Sequence, residues 1–437
     1  MTEKMERISP TVYIVFVSLL LDLLAFTMIL PLLPSLLEHY RINDSTGLYT
    51  WLSHKINYFQ QFVGAPERFS TVLFGGFLGS MFSFLQFVAA PIFGGISDVI
   101  GRKKVMIACL IGISLSYILW ALSTNLVIFI LARFFGGISK GNVSLSMAII
   151  TDVSSMKTRG KGMALVGIAF SLGFIIGPLI GAIFAVWAKQ KSGEWFVVPA
   201  LFAFLLSIAD LIFFTIFFKE SLPKEKRSKS VMKTLKNAKV LINVIDLFRF
   251  TAVASVKDAN LKKLRKIGLI YFVYLFIYSG LEFTLTFLTH HVFNYTSMQQ
   301  GWMFFVLGLT MALMQGTYVR RVPQNKIKKT AVNGLWLIVP TFILVGIAKG
   351  QIMLYLGLFL YAISTAMVVP CITTMASEYG NDQEKGTVMG IFRSLGALAR
   401  ALGPIFASIA FWSVGSTVTY LTGAVFLLWP ALALQKI

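Results

Sequence analysis

The sequence predicts an all-α membrane protein: twelve transmembrane helices arranged as two pseudo-symmetric six-helix halves. Three observations carry this reading. The 437 residues are 57% hydrophobic and only 13% charged, with a mean hydropathy of +0.77, whereas soluble domains carry about 25% charged residues. Twelve runs are long and apolar enough to cross a bilayer, which takes about 20 residues each. A short pattern, G-I-x-x-S-L-G, appears at Gly167–Gly173 in the fifth run and again at Gly390–Gly396 in the eleventh. In each copy a Gly-Pro pair follows, Gly177-Pro178 and Gly403-Pro404.

Taken in order, the runs fall at 12–35, 71–94, 103–122, 126–150, 162–187 and 195–218, then at 267–289, 299–319, 330–348, 352–376, 386–411 and 415–434. The chain therefore divides into an N-terminal half, 1–218, a polar Lys-rich linker, 219–266, and a C-terminal half, 267–437. Within the linker, 233–250 has helical periodicity with a basic face, suited to lie on a membrane surface. An even number of spans puts both termini on one side. Basic residues crowd the loop after the second run (Arg102, Lys103, Lys104), the linker, and the loop at 320–329. Positive loops stay in the cytoplasm, so both termini are expected there.

The same topology accounts for the net charge of +21, so nucleic acid is not expected as a partner. The contacts expected are membrane lipid, protons and a small molecule. Two sequons, at Asn43 and Asn294, fall in loops on the opposite side and are candidate glycosylation sites. A third, at Asn142, lies inside the fourth span, out of reach of that modification. Cys109 and Cys371 both fall in spans, which implies no disulfide framework. No phosphate-binding loop and no metal-spaced Cys/His cluster is present. Neither an enzyme nor a cofactor or metal is expected. The plasma membrane and an internal membrane remain equally open.

Several motifs sharpen the class. Residues 94–104 read G-x-x-x-D-x-x-G-R-K-K. Gly94 and Gly101 permit close approach and a tight turn, Asp98 supplies an acceptor, and Arg102 begins a basic run. In the fifth span Gly173, Gly177 and Gly181 recur at every fourth residue, forming one small face for helix packing, and Pro178 removes a backbone donor. Arg133 opens R-F-F-G-G in the fourth span, while Asp22 and Pro31 mark the first. The loop motif resembles the signature of the major facilitator superfamily. The glycine-proline run, the Arg133 motif and the Asp22/Pro31 spacing resemble its drug:proton antiporter group, although Gly136 stands where that group usually has Gln. The resemblance implies two parallel bundles with a midplane site and alternating access. It also implies an antiporter of tetracycline-like, amphipathic drug molecules or organic anions.

Charged groups inside spans are costly and mark function by default. Asp22 lies about ten residues into the first span, roughly 15 Å deep at 1.5 Å per residue. Lys140 and Arg133 share a face of the fourth span, Glu282 lies in the seventh, and Arg400 in the eleventh. The expected arrangement is a cavity between halves, lined by these four spans. There Asp22 or Glu282 carries the coupling proton, and Arg133, Lys140 or Arg400 attracts an organic anion. Tyr271, Tyr274 and Tyr278 precede Glu282 at helical spacing, with Tyr278 the closest candidate for the cargo site. Asp210 and Arg393, nearer the cytoplasmic face, read as ion pairs that fix packing. Two other readings stay open. One is a carrier of an organic cation such as a polyamine, held by Asp22 and Glu282. The other is a receptor or scaffold that moves nothing and uses the basic linker to bind a partner.

Overall fold

A computed structural model describes residues 9–63, 70–155, 158–189, 196–227, 239–251, 253, 258–377, 379 and 385–437. The described residues contain twelve helical segments long and apolar enough to cross a membrane. The first, Pro10–Ile42, is composite. Helix α1 (Pro10–Thr27) begins with a proline in its first turn, where the missing N–H costs nothing. A 3-10 turn at Leu30–Leu32 contains Pro31, and α2 (Leu33–Ile42) completes the span. Pro31 cannot donate to the preceding turn, so the chain tightens there instead of continuing as α-helix.

Helix α3 (Leu48–Val63) fills the connection to the second span, where the sequence reading places only a loop. Its first turn is capped by Asp44, whose two carboxylate oxygens accept from the Tyr49 and Thr50 amides at 3.2 and 2.7 Å. Then follow α4 (Ser70–Ile100), α5 (Arg102–Ala121), α6 (Leu126–Ser139), α7 (Asn142–Val153), α8 (Arg159–Lys189) and α9 (Val197–Phe217). The linker holds α10 (Val244–Arg249), and α11 (Asp258–His291) begins inside the stretch assigned to it. Residues 228–238, 252 and 254–257, including the first part of the expected surface helix, lie outside the described residues. The last five helices are α12 (Ser297–Thr317), α13 (Ile327–Ile347), α14 (Gln351–Ser377), α15 (Lys385–Val414) and α16 (Ser416–Gln435).

The chain clusters into two compact units. One holds the chain up to Leu32 together with Leu85–Lys239; the other holds Leu33–Phe84 and Val240–Ile437. In the first unit α1 packs on α8 and α9, and α5 on α6 and α9. The small face of α8 makes the first contact possible. A Cβ on Gly173, Gly177 or Gly181 would collide with Leu23, the Thr27 hydroxyl or the Met28 backbone, respectively. With no Cβ in the way, the Thr27 hydroxyl reaches 2.8 Å from both the Gly173 and Leu23 carbonyl oxygens.

The second unit repeats this joint between α11 and α15. There Gly403 faces Ser279 and the Phe276 carbonyl, and the Ser279 hydroxyl lies 3.3 Å from the Ala399 carbonyl. The first part of α4 belongs to this unit. Its Gly75 and Gly79 sit under Phe287 and Phe283 of α11, and its Gly76 under Ser408 of α15.

Candidate functional site

The fourth span is not one helix. It breaks between α6 and α7, and the residues at the break are Lys140 and Gly141. Lys140 closes α6 with ψ 39°, its amide reaching back to the Gly137 carbonyl at 3.3 Å. Broken helices occur at membrane depth only where buried in protein or lining a cavity, and they recur at transporter binding sites. The break aims two polar side chains at α1. Lys140 Nζ lies 2.7 and 2.8 Å from the two oxygens of Asp22, and Asn142 Nδ2 donates to Asp22 Oδ2 at 2.7 Å. Asp22 and Lys140 are only 1% and 4% exposed. This is a desolvated ion pair with an added amide donor, a geometry in which removing either partner strands a charge.

Arg133, one face along α6, sits beyond this pair. Its guanidinium carbon lies 6.0 Å from the Phe26 ring centroid, and Lys140 Nζ lies 4.7 Å from the same ring. Phe26 thus presents its negative π face to both cations. The structure brings together Asp22, Lys140 and Arg133, three of the sequence candidates, within the first unit. It adds Asn142, which the sequence marks only as an unusable sequon. Asp210, on α9, is completely buried, and no cation lies within ion-pair distance of it among the described residues.

The second unit carries a different cluster. Tyr278 Oη donates to Glu282 Oε1 at 3.0 Å. The Tyr278 ring stacks on Tyr361 of α14 with centroids 5.2 Å apart and planes at 8°, and on Tyr274 at 5.7 Å. Glu282 is half-buried, while Arg393 and Arg400 are exposed on α15. The two arginines are seven residues apart and so lie on nearly one face. Their charges and that of Glu282 are felt along the same stretch of α11: Arg400 and Arg393 act on Tyr271, and Arg400 on Glu282. No carboxylate lies within ion-pair distance of Arg400 among the described residues. Tyr361 is the member of this cluster that sequence spacing does not reveal, because it comes from another helix.

The loop motif forms a third constellation within the first unit. Gly101 has φ 113°, a conformation glycine adopts readily. A Cβ there would also strike Glu220 and Arg227. Arg102 Nη1 lies 2.7 Å from Asp98, Arg102 Nε 2.9 Å from Asp152 of α7, and Arg102 Nη1 also donates to Ser97. Glu220, just after α9, accepts from the Arg102 and Lys103 amides at 2.9 and 3.2 Å, so a carboxylate caps the positive end of α5. Arg227 closes the ring on the Ile100 carbonyl at 2.9 Å. A Cβ on Gly94 would meet only the Ser144 hydroxyl of α7, at 3.8 Å, so no close approach there requires a glycine. Pro178 lies inside α8 without ending it. The two candidate glycosylation sites, Asn43 and Asn294, are both exposed.

Comparison with known proteins identifies the family and the fold. The sequence pattern of the Major Facilitator Superfamily matches residues 15–404. Major facilitator superfamily domain-containing protein 10 of Homo sapiens is 46% identical over 433 residues, covering 98% of this chain and 92% of that protein. Tetracycline resistance protein, class B, of Escherichia coli is 25% identical over 415 residues, covering 91% of this chain and 88% of that one. Among solved structures, the human organic anion transporter MFSD10 (TETRAN) superposes with a TM-score of 0.81 at 44% identity, covering 98% of this chain and all of that one. A bacterial homologue of the lysosomal transporter Spinster, inward-facing and unoccupied, shares the fold with a TM-score of 0.67 at 14% identity.

Proposed function

The chain belongs to the Major Facilitator Superfamily and is a multi-pass membrane transporter, and from that premise we propose that it carries an organic anion by alternating access, coupled to protons. The observation that carries this reading is Arg400. A guanidinium in the middle of a span, exposed and without an ion-paired carboxylate among the described residues, is costly unless something anionic comes to it. Planar guanidinium matches carboxylate in a two-point geometry. Its charge reaches the Tyr271 phenol and Glu282 on α11, next to the stacked phenols of Tyr278 and Tyr361, so an aromatic carboxylate would meet a cation beside an aromatic wall. A relative at 44% identity is described as an organic anion transporter, which supports the same reading.

In this reading Arg400 and Arg133 attract the anion, Tyr278 orients it, and Asp22 and Glu282 are the coupling carboxylates. Lys140 is held by Asp22 in this conformation. Protonating Asp22 removes the negative charge and leaves Lys140 able to attract cargo. The loop ring around Arg102 and the glycine face of α8 then serve conformational change rather than binding. Glu282 favours one second reading. Its hydrogen-bond partner is a neutral phenol, so an organic cation such as a polyamine would find an uncompensated carboxylate there.

The test is uptake of a labelled aromatic carboxylate into proteoliposomes, with and without an imposed pH gradient. Gradient-dependent uptake that falls by about tenfold or more in Arg400→Ala, as loss of a charged contact predicts, supports the anion reading. Uptake of a polyamine that survives Arg400→Ala and is lost in Glu282→Gln would replace it.

A further inference from the structure

Asp210 is the one carboxylate inside the first bundle that the transport reading leaves without a role. It sits in the middle of α9 with no exposed surface. Neither of its oxygens makes a hydrogen bond. The side chain facing it from α1 is Ser18, itself buried, and the charges whose fields reach it are Asp22 and Lys140. From α5 it is faced by the buried phenol of Tyr117, which also feels Asp22 and Arg133. An ionised carboxylate in such a place has lost its water and has in return only the neutral Ser18 hydroxyl and an ammonium beyond ion-pair distance, a penalty of several kcal/mol. Asp22 is the opposite case, with an ammonium and an amide on its two oxygens. Ser18 stands one helical turn before Asp22 on the same face of α1, and its hydroxyl faces Asp210.

From this arrangement we infer that Asp210 holds the coupling proton in this conformation and passes it to Asp22 through Ser18. The inference rests on the proton-coupled reading above and names the residue that loads it. In the transfer the Asp210 O–H bond breaks and its proton goes to Ser18 Oγ. The proton of Ser18 goes to an Asp22 oxygen in the same step. One proton moves, Asp210 becomes the carboxylate, Asp22 becomes the acid, and nothing is oxidised or reduced. Asp22 then no longer holds Lys140, which is left to attract an anion. The new Asp210 carboxylate has no partner, so the transfer belongs to the conformational change that brings water or a fresh proton to it. Proton and anion are thereby loaded together, which makes the transporter a co-transporter of the two, in contrast with the antiport that the sequence motifs imply.

Two measurements on the full chain in lipid bilayers test this. Infrared spectra at neutral pH should show the carbonyl stretch of a buried protonated carboxyl, present in the wild type and in Asp22→Asn and missing in Asp210→Asn. Uptake driven by a pH gradient should fall by at least about tenfold in Asp210→Asn, the scale of a lost proton-transfer group. Asp210→Glu, which keeps the carboxyl, should restore both the band and driven uptake. A carboxyl band that survives Asp210→Asn overturns the inference. So does driven uptake left unchanged by that substitution, or not restored by Asp210→Glu in a folded protein. Wild-type protein that shows no gradient-driven uptake sinks the proton-coupled reading itself, and the infrared measurement alone then decides whether Asp210 stores a proton.

Discussion

In the first unit the cation at the centre of the bundle, Lys140, is locked against Asp22, which Asn142 also holds, with almost no exposure. In the second unit Arg400 stands exposed on α15, its charge reaching the Tyr271 phenol and a hydrogen-bonded Glu282. The helix joints underneath are alike, since α1 on α8 and α11 on α15 both close over glycine and a buried hydroxyl. The difference therefore lies in the chemistry laid over one architecture. A satisfied ion pair stores charge until a proton releases it, whereas an uncompensated guanidinium advertises it. The pairing teaches that internal symmetry of backbone does not carry over to the protonation chemistry of its two halves.

The sharpest way to break this comparison is to remove each cation. Lys140→Met strands Asp22 and should destabilise the fold by about 3–5 kcal/mol, while Arg400→Ala, which strands nothing, should stay within about 0.5 kcal/mol. Thermal unfolding in detergent reads both. The double variant Asp22→Asn with Lys140→Met should recover most of the loss. Equal effects for the two single variants would erase the distinction between the units.

The shared joint predicts the next effect. Gly177→Ala pushes a methyl group into Thr27, and Gly403→Ala into Ser279 and the Phe276 carbonyl. Each should cost about 1–3 kcal/mol as overpacking, and unfolding of the two variants should show similar losses. A large effect in one and none in the other would show that the two joints are not equivalent.

The smallest expected effect lies in the segment that joins the second unit ahead of α4. Burial raises Asp44 slightly, but hydrogen bonds from Thr50, Tyr49 and Gly47 outweigh it and leave the carboxyl below its ordinary value. A depressed folded-state value means that the stabilisation is present above the unfolded-state value and fades as pH falls through the folded one. Asp44→Asn should cost about 0.5–1 kcal/mol near neutral pH, seen as faster trypsin cleavage at Lys55. That difference from wild type should close in acid.

Much of the fold was legible because hydropathy reports lipid directly. The span positions, the fourth-residue glycine face and the loop around Arg102 all follow from local composition. Three things were not. The break at Lys140 hides in an apolar run, where a lone glycine is usually tolerated; the signal was the four-residue string Ser139-Lys140-Gly141-Asn142, polar and breaker-rich at mid-span. Helix α3 depends on the Asp44 cap and on packing with the second unit, which hydropathy does not score. The pairing of Asp22 with Lys140 and Asn142 spans more than a hundred residues of chain. Sequence spacing names charged candidates within one helix but not the partner each finds in another, which is also why Tyr361 and the solitary setting of Asp210 went unseen.

The short helix α7 has one further consequence. Because the fourth span is broken, α7 is a separate rod of 12 residues, anchored at both ends by charge. Asn142, at its start, grips Asp22; Asp152, near its end, grips Arg102. The two anchors are about 15 Å apart at 1.5 Å per residue. A rigid rod transmits axial displacement along its whole length, so a slip at the Asp22 carboxylate arrives at the Arg102 guanidinium undiminished. An uninterrupted span would be pinned by its other half; the break leaves this one able to act as a pushrod.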